Sequence, residues 1–250
     1  MQGMAMQRTA LALFLLVSHS LAANYTARRV TVEGVDAIVL ADARNKTEVT
    51  ILPAVGNMGY EMKVNGRNVL GTPEGGLAKF AARPTMTGIP FLAPWANRID
   101  GQAFFANGKK YIFNPNLGNV RGNIPMHGFL TTSSAWRVVE VKADGKAAWA
   151  TSRLEFWRYP DMMAQFPFAH TIEMSYRLAG GALQIETVLR NHSAEPMPLA
   201  AGFHPYFRVY DAPRDHWTIH IPARDHWALN SSLLPTGEVR SVDLPDPTPL

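Results

Sequence analysis

The chain has 250 residues, enough for one large domain or two small ones. Apolar residues make up 47% and charged residues 18%, the balance of a globular protein with a sizeable core. The net charge of +4 comes from 24 Lys and Arg against 20 Asp and Glu, and no basic run exceeds two residues, which argues against a nucleic-acid partner. There is no cysteine, which excludes disulfides, thiolate metal sites and cysteine nucleophiles.

The N-terminus reads as a secretory leader. Arg8 precedes a short apolar run, Thr9 to Val17, and Ser20-Leu21-Ala22 offers small residues where a signal peptidase cuts. The run is too short to span a bilayer stably, so no membrane association is expected after cleavage. This assigns residues 1–22 to the leader and 23–250 to one domain, exported to a periplasm or beyond. A chain without cysteine suits a bacterial periplasm, where a large core makes disulfides unnecessary.

Strand-like runs then follow one another. Val30 to Val39 alternates loosely, and Glu48 to Leu52 is short and β-branched. Glu61 to Leu70 is split by Asn65-Gly66, a strong hairpin signal, and Ala103 to Phe113 repeats the device at Asn107-Gly108. Leu77 to Ala82 predicts a helix of about one and a half turns. Trp136 to Lys142 and Ala147 to Trp157 flank Asp144-Gly145, and His170 to Leu178 and Ala182 to Leu189 flank Gly180-Gly181. Trp217 to Ile221 alternates, with His216 and His220 on one strand face. Asp215-His216-Trp217 recurs as Asp225-His226-Trp227, which suggests two neighbouring strands. Turn signals every ten or so residues, with no long amphipathic helix, predict an all-β antiparallel sandwich.

Three polar segments stand out. Pro94-Trp95-Ala96-Asn97-Arg98-Ile99 places amide and guanidinium donors beside an indole, suited to hydroxyl oxygens. Met126-His127-Gly128-Phe129 sets an imidazole next to glycine. Gly202-Phe203-His204-Pro205-Tyr206-Phe207 sets another between glycine and proline among aromatic rings. Pro205 holds His204 extended, Gly202 admits a close neighbour, and Tyr206 and Phe207 offer flat surface for a sugar ring. Histidine exchanges protons near neutral pH. Taken singly, each segment equally fits a surface Arg at a turn or a hydrogen-bonded structural His.

Taken in order, they resemble the aldose 1-epimerase (galactose mutarotase) family. The resemblance runs from Gly88-Ile89-Pro90 through Asn97-Arg98-Ile99, the Asn107-Gly108 hairpin with Tyr111, and His127-Gly128. It continues through Asn191, Pro196 and Pro198 to the Gly202–Phe207 run and the Leu234–Glu238 turn. It implies a β-supersandwich with a sugar cleft and interconversion of the α and β anomers of a free aldohexose, with no cofactor and a small sugar as partner. It also implies His204 as the acid at the ring oxygen, His127 as a supporting imidazole, and Arg98, Asn97 and Tyr206 as substrate-binding groups. The family's base is a late glutamate with no counterpart here. Glu238 matches a turn position, Asp243 falls too early for the family's late aspartate, and the Pro-rich stretch from Val242 does not read as a closing strand. That pattern suits a piece of a longer product or a naturally short form, with unpaired edges and exposed apolar surface on the C-terminal side of the sandwich.

Two further readings compete. One is a sugar-binding protein without catalysis on the same scaffold. The other is a hexose-phosphate epimerase using Arg83 and Arg121 for the phosphate, which export disfavours. His216, His220 and His226 suggest a metal site only weakly, for want of carboxylates at ligand spacing. His170 and His192 read as surface or hairpin residues.

Overall fold

The computed structural model describes residues 24–114, 120–245 and 247–249. The leader assigned to residues 1–22 and the side chain of Arg121 lie outside them. None of the described helices is long and apolar enough to cross a membrane.

The first sheet is an antiparallel meander of β1 (Tyr25–Val32), β2 (Val35–Asp42), β3 (Thr47–Leu52), β4 (Met58–Val64) and β5 (Arg67–Asn68), in that spatial order. Helix α1 (Gly76–Ala82) follows, then β6 (Phe91–Leu92), the hairpin β7 (Ala103–Ala106) and β8 (Lys109–Ile112), and the short pair β9 (Val120–Arg121) and β10 (Ile124–Pro125). The second sheet is another meander: β11 (Arg137–Ala143), β12 (Ala148–Glu155), β13 (His170–Ala179) and β14 (Ala182–Asn191), with helix α2 (Pro160–Gln165) between β12 and β13. The C-terminal part adds β15 (Gly202–Phe203), β16 (Thr218–Ile219), β17 (Asp225–Leu229), β18 (Pro235–Ser241) and β19 (Thr248–Pro249).

The two sheets pack face to face, as the period-2 patterns require. Ile172, Met174, Tyr176 and Leu178 of β13 point inward with Ile38, Leu40, Val49 and Ile51 of the first sheet. The intervening Thr171, Glu173, Ser175 and Arg177 point out. On the far side of the first sheet, Leu77 and Phe80 of α1 cover Leu52, Met58 and Tyr60. Glu33 supplies the cap this helix lacks in its own sequence, its carboxylate accepting the Ala78 N–H at 2.9 Å.

The predicted all-β antiparallel sandwich is present, and its glycine turns explain the registers. Asn65-Gly66 and Asn107-Gly108 hold positive φ at both positions, as two-residue hairpins need, and Gly180-Gly181 joins β13 to β14. The helix expected over Leu77 to Ala82 is α1. Asp42 ties the sheets at one end: its carboxylate accepts the Gly181 N–H at 2.9 Å and the Asn45 amide at 2.7 Å. Burial would raise its pKa, but these bonds to the ionised form outweigh burial and hold it below the ordinary value.

Several expectations are corrected. Val30 to Val39 is not one strand but the β1–β2 hairpin, turning at Glu33-Gly34, both with positive φ. The tail does pair, Thr248–Pro249 lying antiparallel to Thr218–Ile219. The two Asp-His-Trp echoes are not paired neighbours, because β16 pairs with β19 and β17 with β18. His216 sits in a 3₁₀ turn and His220 follows the end of β16, so neither lies on the strand they were expected to share. Among the described residues no three His, Asp or Glu side chains gather as a metal site. Leu199, Phe207, Ile221, Trp227 and Leu244 are exposed, which leaves apolar surface on the C-terminal side.

His170 is the main correction in the core. It is 1% exposed, stacked on Phe156 at 4.2 Å, with Nδ1 at 2.6 Å from the Phe168 carbonyl. Burial pushes its pKa down, the bond to Phe168 opposes this, and His192 adds slightly to the lowering. A histidine depressed in the fold binds its proton more readily when unfolded. Its contribution is therefore intact above the unfolded value of about 6.5 and is lost as pH falls through it towards the folded value. A His170→Gln variant should melt lower at neutral pH, yet lose less melting temperature between pH 7.5 and 5.5 than the native chain. Equal losses in the two proteins would clear His170 of this role.

Candidate active site

The extended segment from Gly88 to Arg98 lies between the two histidine motifs and is bonded to both. On one side, β15 pairs with β6, Gly202 opposite Leu92 and Phe203 opposite Phe91. The His204 N–H then donates to the Pro90 carbonyl at 3.1 Å and the Tyr206 N–H to Gly88 at 2.8 Å. Pro205 falls between these two bonded positions, where a missing N–H costs nothing. A Cβ at Gly202 would lie 3.3 Å from the Ala96 side chain, so the glycine allows this close approach.

On the other side, the His127 N–H donates to the Asn97 carbonyl at 2.9 Å and the Phe129 N–H to Ala93 at 2.8 Å. Arg98 bridges Met126, and Ala93 bridges Gly128. His127 and Gly128 both have positive φ, which swings the chain across the segment. Trp95 packs on Phe113 at 4.4 Å and edge-on to Phe129 at 5.0 Å, an aromatic cluster that anchors the segment.

The result is one cleft of about 590 Å³, lined by Asn97, Arg98, His127, Phe203, His204 and Tyr206, with Met86, Leu92, Ala96 and Met126 completing the walls. This volume suits a small molecule, for which ~300–1,000 Å³ is usual. The two imidazoles meet edge to face with ring centres 5.5 Å apart, and His204 stacks on Tyr206 at 4.9 Å. His127 is 8% exposed, whereas His204 is open to solvent. Among the described residues no carboxylate lines the cleft.

The two imidazoles are held differently. The backbone N–H of Asn97 donates to Nδ1 of His127 at 3.1 Å, so the proton of the neutral ring sits on Nε2. Burial first, then His204 and Arg98, push the His127 pKa down, and the donor aimed at Nδ1 acts in the same direction. His127 is thus a neutral hydrogen-bond donor. The Asn97 side chain serves a second purpose, accepting from Nη1 of Arg98 at 2.9 Å and fixing the guanidinium at the rim. Burial raises the Tyr206 pKa, which keeps its phenol protonated.

All five residues singled out in the sequence therefore line one cleft. Phe207, expected to add stacking surface, points away at 69% exposure, and Phe203 lines the cleft instead. Alternation explains the absence of Phe207, since His204 and Tyr206 face the cleft and Pro205 and Phe207 fall on the opposite parity. Met86 was missed, because a lone Met in a Pro/Thr-rich loop carries no signal. Arg83, the candidate phosphate ligand, is exposed and does not line the cleft.

Gly128 is the residue this geometry tolerates least well. A Cβ there would overlap the Ala93 carbonyl and crowd Pro94, at a φ that side chains avoid. Gly128→Ala should cost at least about 1–3 kcal/mol and displace His127. Gly145→Ala, where a Cβ meets open space, should stay within about 0.5 kcal/mol of native. Urea melts of both variants test this, and equal stability would show that the crossing can relax.

The chain resembles proteins of known structure. A galactose mutarotase-like protein of Clostridium acetobutylicum is 27% identical and superposes with a TM-score of 0.77, over 87% of this chain and 65% of that one. A Synechocystis protein is 26% identical, with a TM-score of 0.65 and the same two coverages. The galactose 1-epimerase of Lactobacillus acidophilus shares the fold at 15% identity and a TM-score of 0.66, over 89% of this chain and 64% of that one. A 116-residue stretch, 46% of this chain, is 25% identical to the uncharacterized Escherichia coli protein YphB and spans 35% of it. The chain thus spans just under two thirds of the length of these solved structures and about a third of that curated relative. The sequence model of the aldose 1-epimerase family matches residues 39–249, and the chain belongs to that family.

Proposed function

We propose that the cleft binds a free aldohexose and interconverts its anomers by acid–base ring opening. The observation that carries this reading is the convergence of His127, His204 and Arg98 on one open cleft that Phe203 and Tyr206 also line. In the forward direction C1–O5 breaks, the ring oxygen gains a proton and the C1 hydroxyl loses one, leaving an open-chain aldehyde. Rotation about C1–C2 and closure with the proton movements reversed give the other anomer.

His204 is the group we assign to the ring oxygen. It faces solvent, and its ring makes no side-chain hydrogen bond among the described residues, so it is free to meet a sugar oxygen. His127, with its proton on Nε2, donates a fixed hydrogen bond beside it and stabilises negative charge building on a sugar oxygen. Arg98 holds hydroxyl oxygens, and Phe203 and Tyr206 cover the apolar face of the ring. The proton of the C1 hydroxyl passes to solvent water, since among the described residues no carboxylate lines the cleft. Export of the chain, as its N-terminal sequence suggests, belongs to the same proposal and fits a free sugar as substrate.

Polarimetry on freshly dissolved α-glucose and α-galactose, against the buffer rate, tests this. His204→Asn should lower turnover about 10²–10⁴-fold with little change in sugar affinity. Arg98→Ala should mainly weaken binding, because hydroxyl contacts form in ground and transition states alike. Full turnover in His204→Asn would remove that residue from the mechanism.

The absence of a carboxylate from the cleft among the described residues favours a second reading, a sugar-binding protein on the same scaffold. Native chain that binds sugar while matching the buffer rate would establish it.

A further inference from the structure

The solvent-facing side of the second sheet has an arrangement that the packing of the sandwich does not require. The pairing registers place Lys142, Trp149, Arg177 and Gln184 in one row across four strands. The next row on the same face is Glu140, Thr151, Ser175 and Glu186. A recess of about 300 Å³ opens over these rows, lined by Trp149, Ser175, Arg177, Gln184 and Glu186 with Asp144 at its edge. It shares no lining residue with the cleft of the two histidines.

Trp149 is half-buried and fixed. Its Nε1–H donates to Glu140 at 2.8 Å, and Lys142 holds the other oxygen of that carboxylate at 2.6 Å. No cation and no other ring stacks on its indole among the described residues. Elsewhere the same face is closed by ion pairs, such as Arg153 with Glu173 at 2.9 Å. Beyond Trp149, around Arg177, Gln184 and Glu186, no such pair forms among the described residues. The side chains of Arg177, Gln184 and Glu186 are exposed, and among the described residues none of the three makes a side-chain hydrogen bond or a close ion pair. Asp144, by contrast, is occupied by the Lys146 and Ala147 N–H groups of its own turn.

We propose that this recess is a carbohydrate-binding site distinct from the cleft. A pyranose presents an apolar C–H face and a rim of neighbouring hydroxyls. A clamped indole with a free face matches the first. The planar forks of an amide, a carboxylate and a guanidinium, with unused donors and acceptors, match the second. Gln184 and Glu186 sit two residues apart on β14 and Arg177 opposite Gln184 on β13, so the three forks present hydroxyl contacts from a rigid sheet that loses little entropy on binding. An anion would meet Glu186 and Asp144, and an apolar ligand would strand all three forks, so a neutral saccharide is the ligand class that fits.

Methyl α- and β-glycosides of glucose and galactose test this by calorimetry. These sugars cannot ring-open, so the readout is independent of any turnover in the cleft. The background is Arg98→Ala, which weakens the cleft. Binding should persist in that variant and fall about tenfold or more when Gln184→Ala and Glu186→Ala are added, two surface changes that spare the core. Trp149→Phe, which keeps an aromatic face but loses the clamp from Glu140, should give a smaller loss. No glycoside binding in the Arg98→Ala background, or binding unchanged by the Gln184/Glu186 double variant, would overturn the site. Neither result bears on whether native chain accelerates anomer exchange.

Discussion

Every polar group in the cleft depends on one constraint: the Gly88–Arg98 segment is bonded along both edges. Its carbonyls at Gly88 and Pro90 accept from Tyr206 and His204, and those at Ala93 and Asn97 accept from Phe129 and His127. Each bond is worth only about 0.5–1.5 kcal/mol net. Together they fix two imidazoles from distant parts of the chain with ring centres 5.5 Å apart. The two sheets contribute stability rather than chemistry. Their shared core holds Phe91 and Ala93 with residues of both sheets, so the segment is anchored from beneath and cannot slide.

The positioning carries a conformational cost. Asn97 and His127 both sit at positive φ, a region that side chains usually avoid. Such residues cost of order 1–3 kcal/mol each and persist only where surrounding structure over-determines them. Here the surroundings do so reciprocally, since the His127 N–H bonds the Asn97 carbonyl while the Asn97 N–H bonds the His127 ring. Asparagine tolerates the left-handed region better than most residues, which suits it to this place. The neighbouring glycine is then required because the turn that presents His127 also drives the next residue against the Ala93 backbone.

What could be read from the sequence follows from how local each signal is. Asn-Gly and Gly-Gly turns announce themselves because those residues adopt positive φ at little cost. Glu33-Gly34 escaped notice because glutamate rarely takes that conformation, and here tertiary structure compensates: its carboxylate caps a helix 45 residues on. The five cleft residues were legible because each lies in a compact motif with its own turn chemistry. His170 was not, because nothing local separates an imidazole at the start of a strand from one on its surface. Its burial is decided by Phe156 and Phe166, which pack onto it from the connection between β12 and β13. The tail misled for a similar reason, since Pro249 sits at the end of a two-residue edge strand, where the missing N–H is tolerated.

The proposed chemistry and the observed asymmetry of the two imidazoles belong together. Two identical histidines in one cleft would compete for the same proton and repel when both are charged. Here the Asn97 N–H occupies Nδ1 of His127, and burial disfavours its cation, so that ring is confined to donating from Nε2. His204 is held differently: among the described residues it is solvent-facing, stacked on Tyr206 and hydrogen-bonded through its backbone alone. A pair so divided separates charge stabilisation from proton transfer, as a reaction that must run equally well in both directions requires. The role of each ring is therefore set less by the histidine itself than by the backbone donor or the solvent that its neighbour on the Gly88–Arg98 segment presents to it.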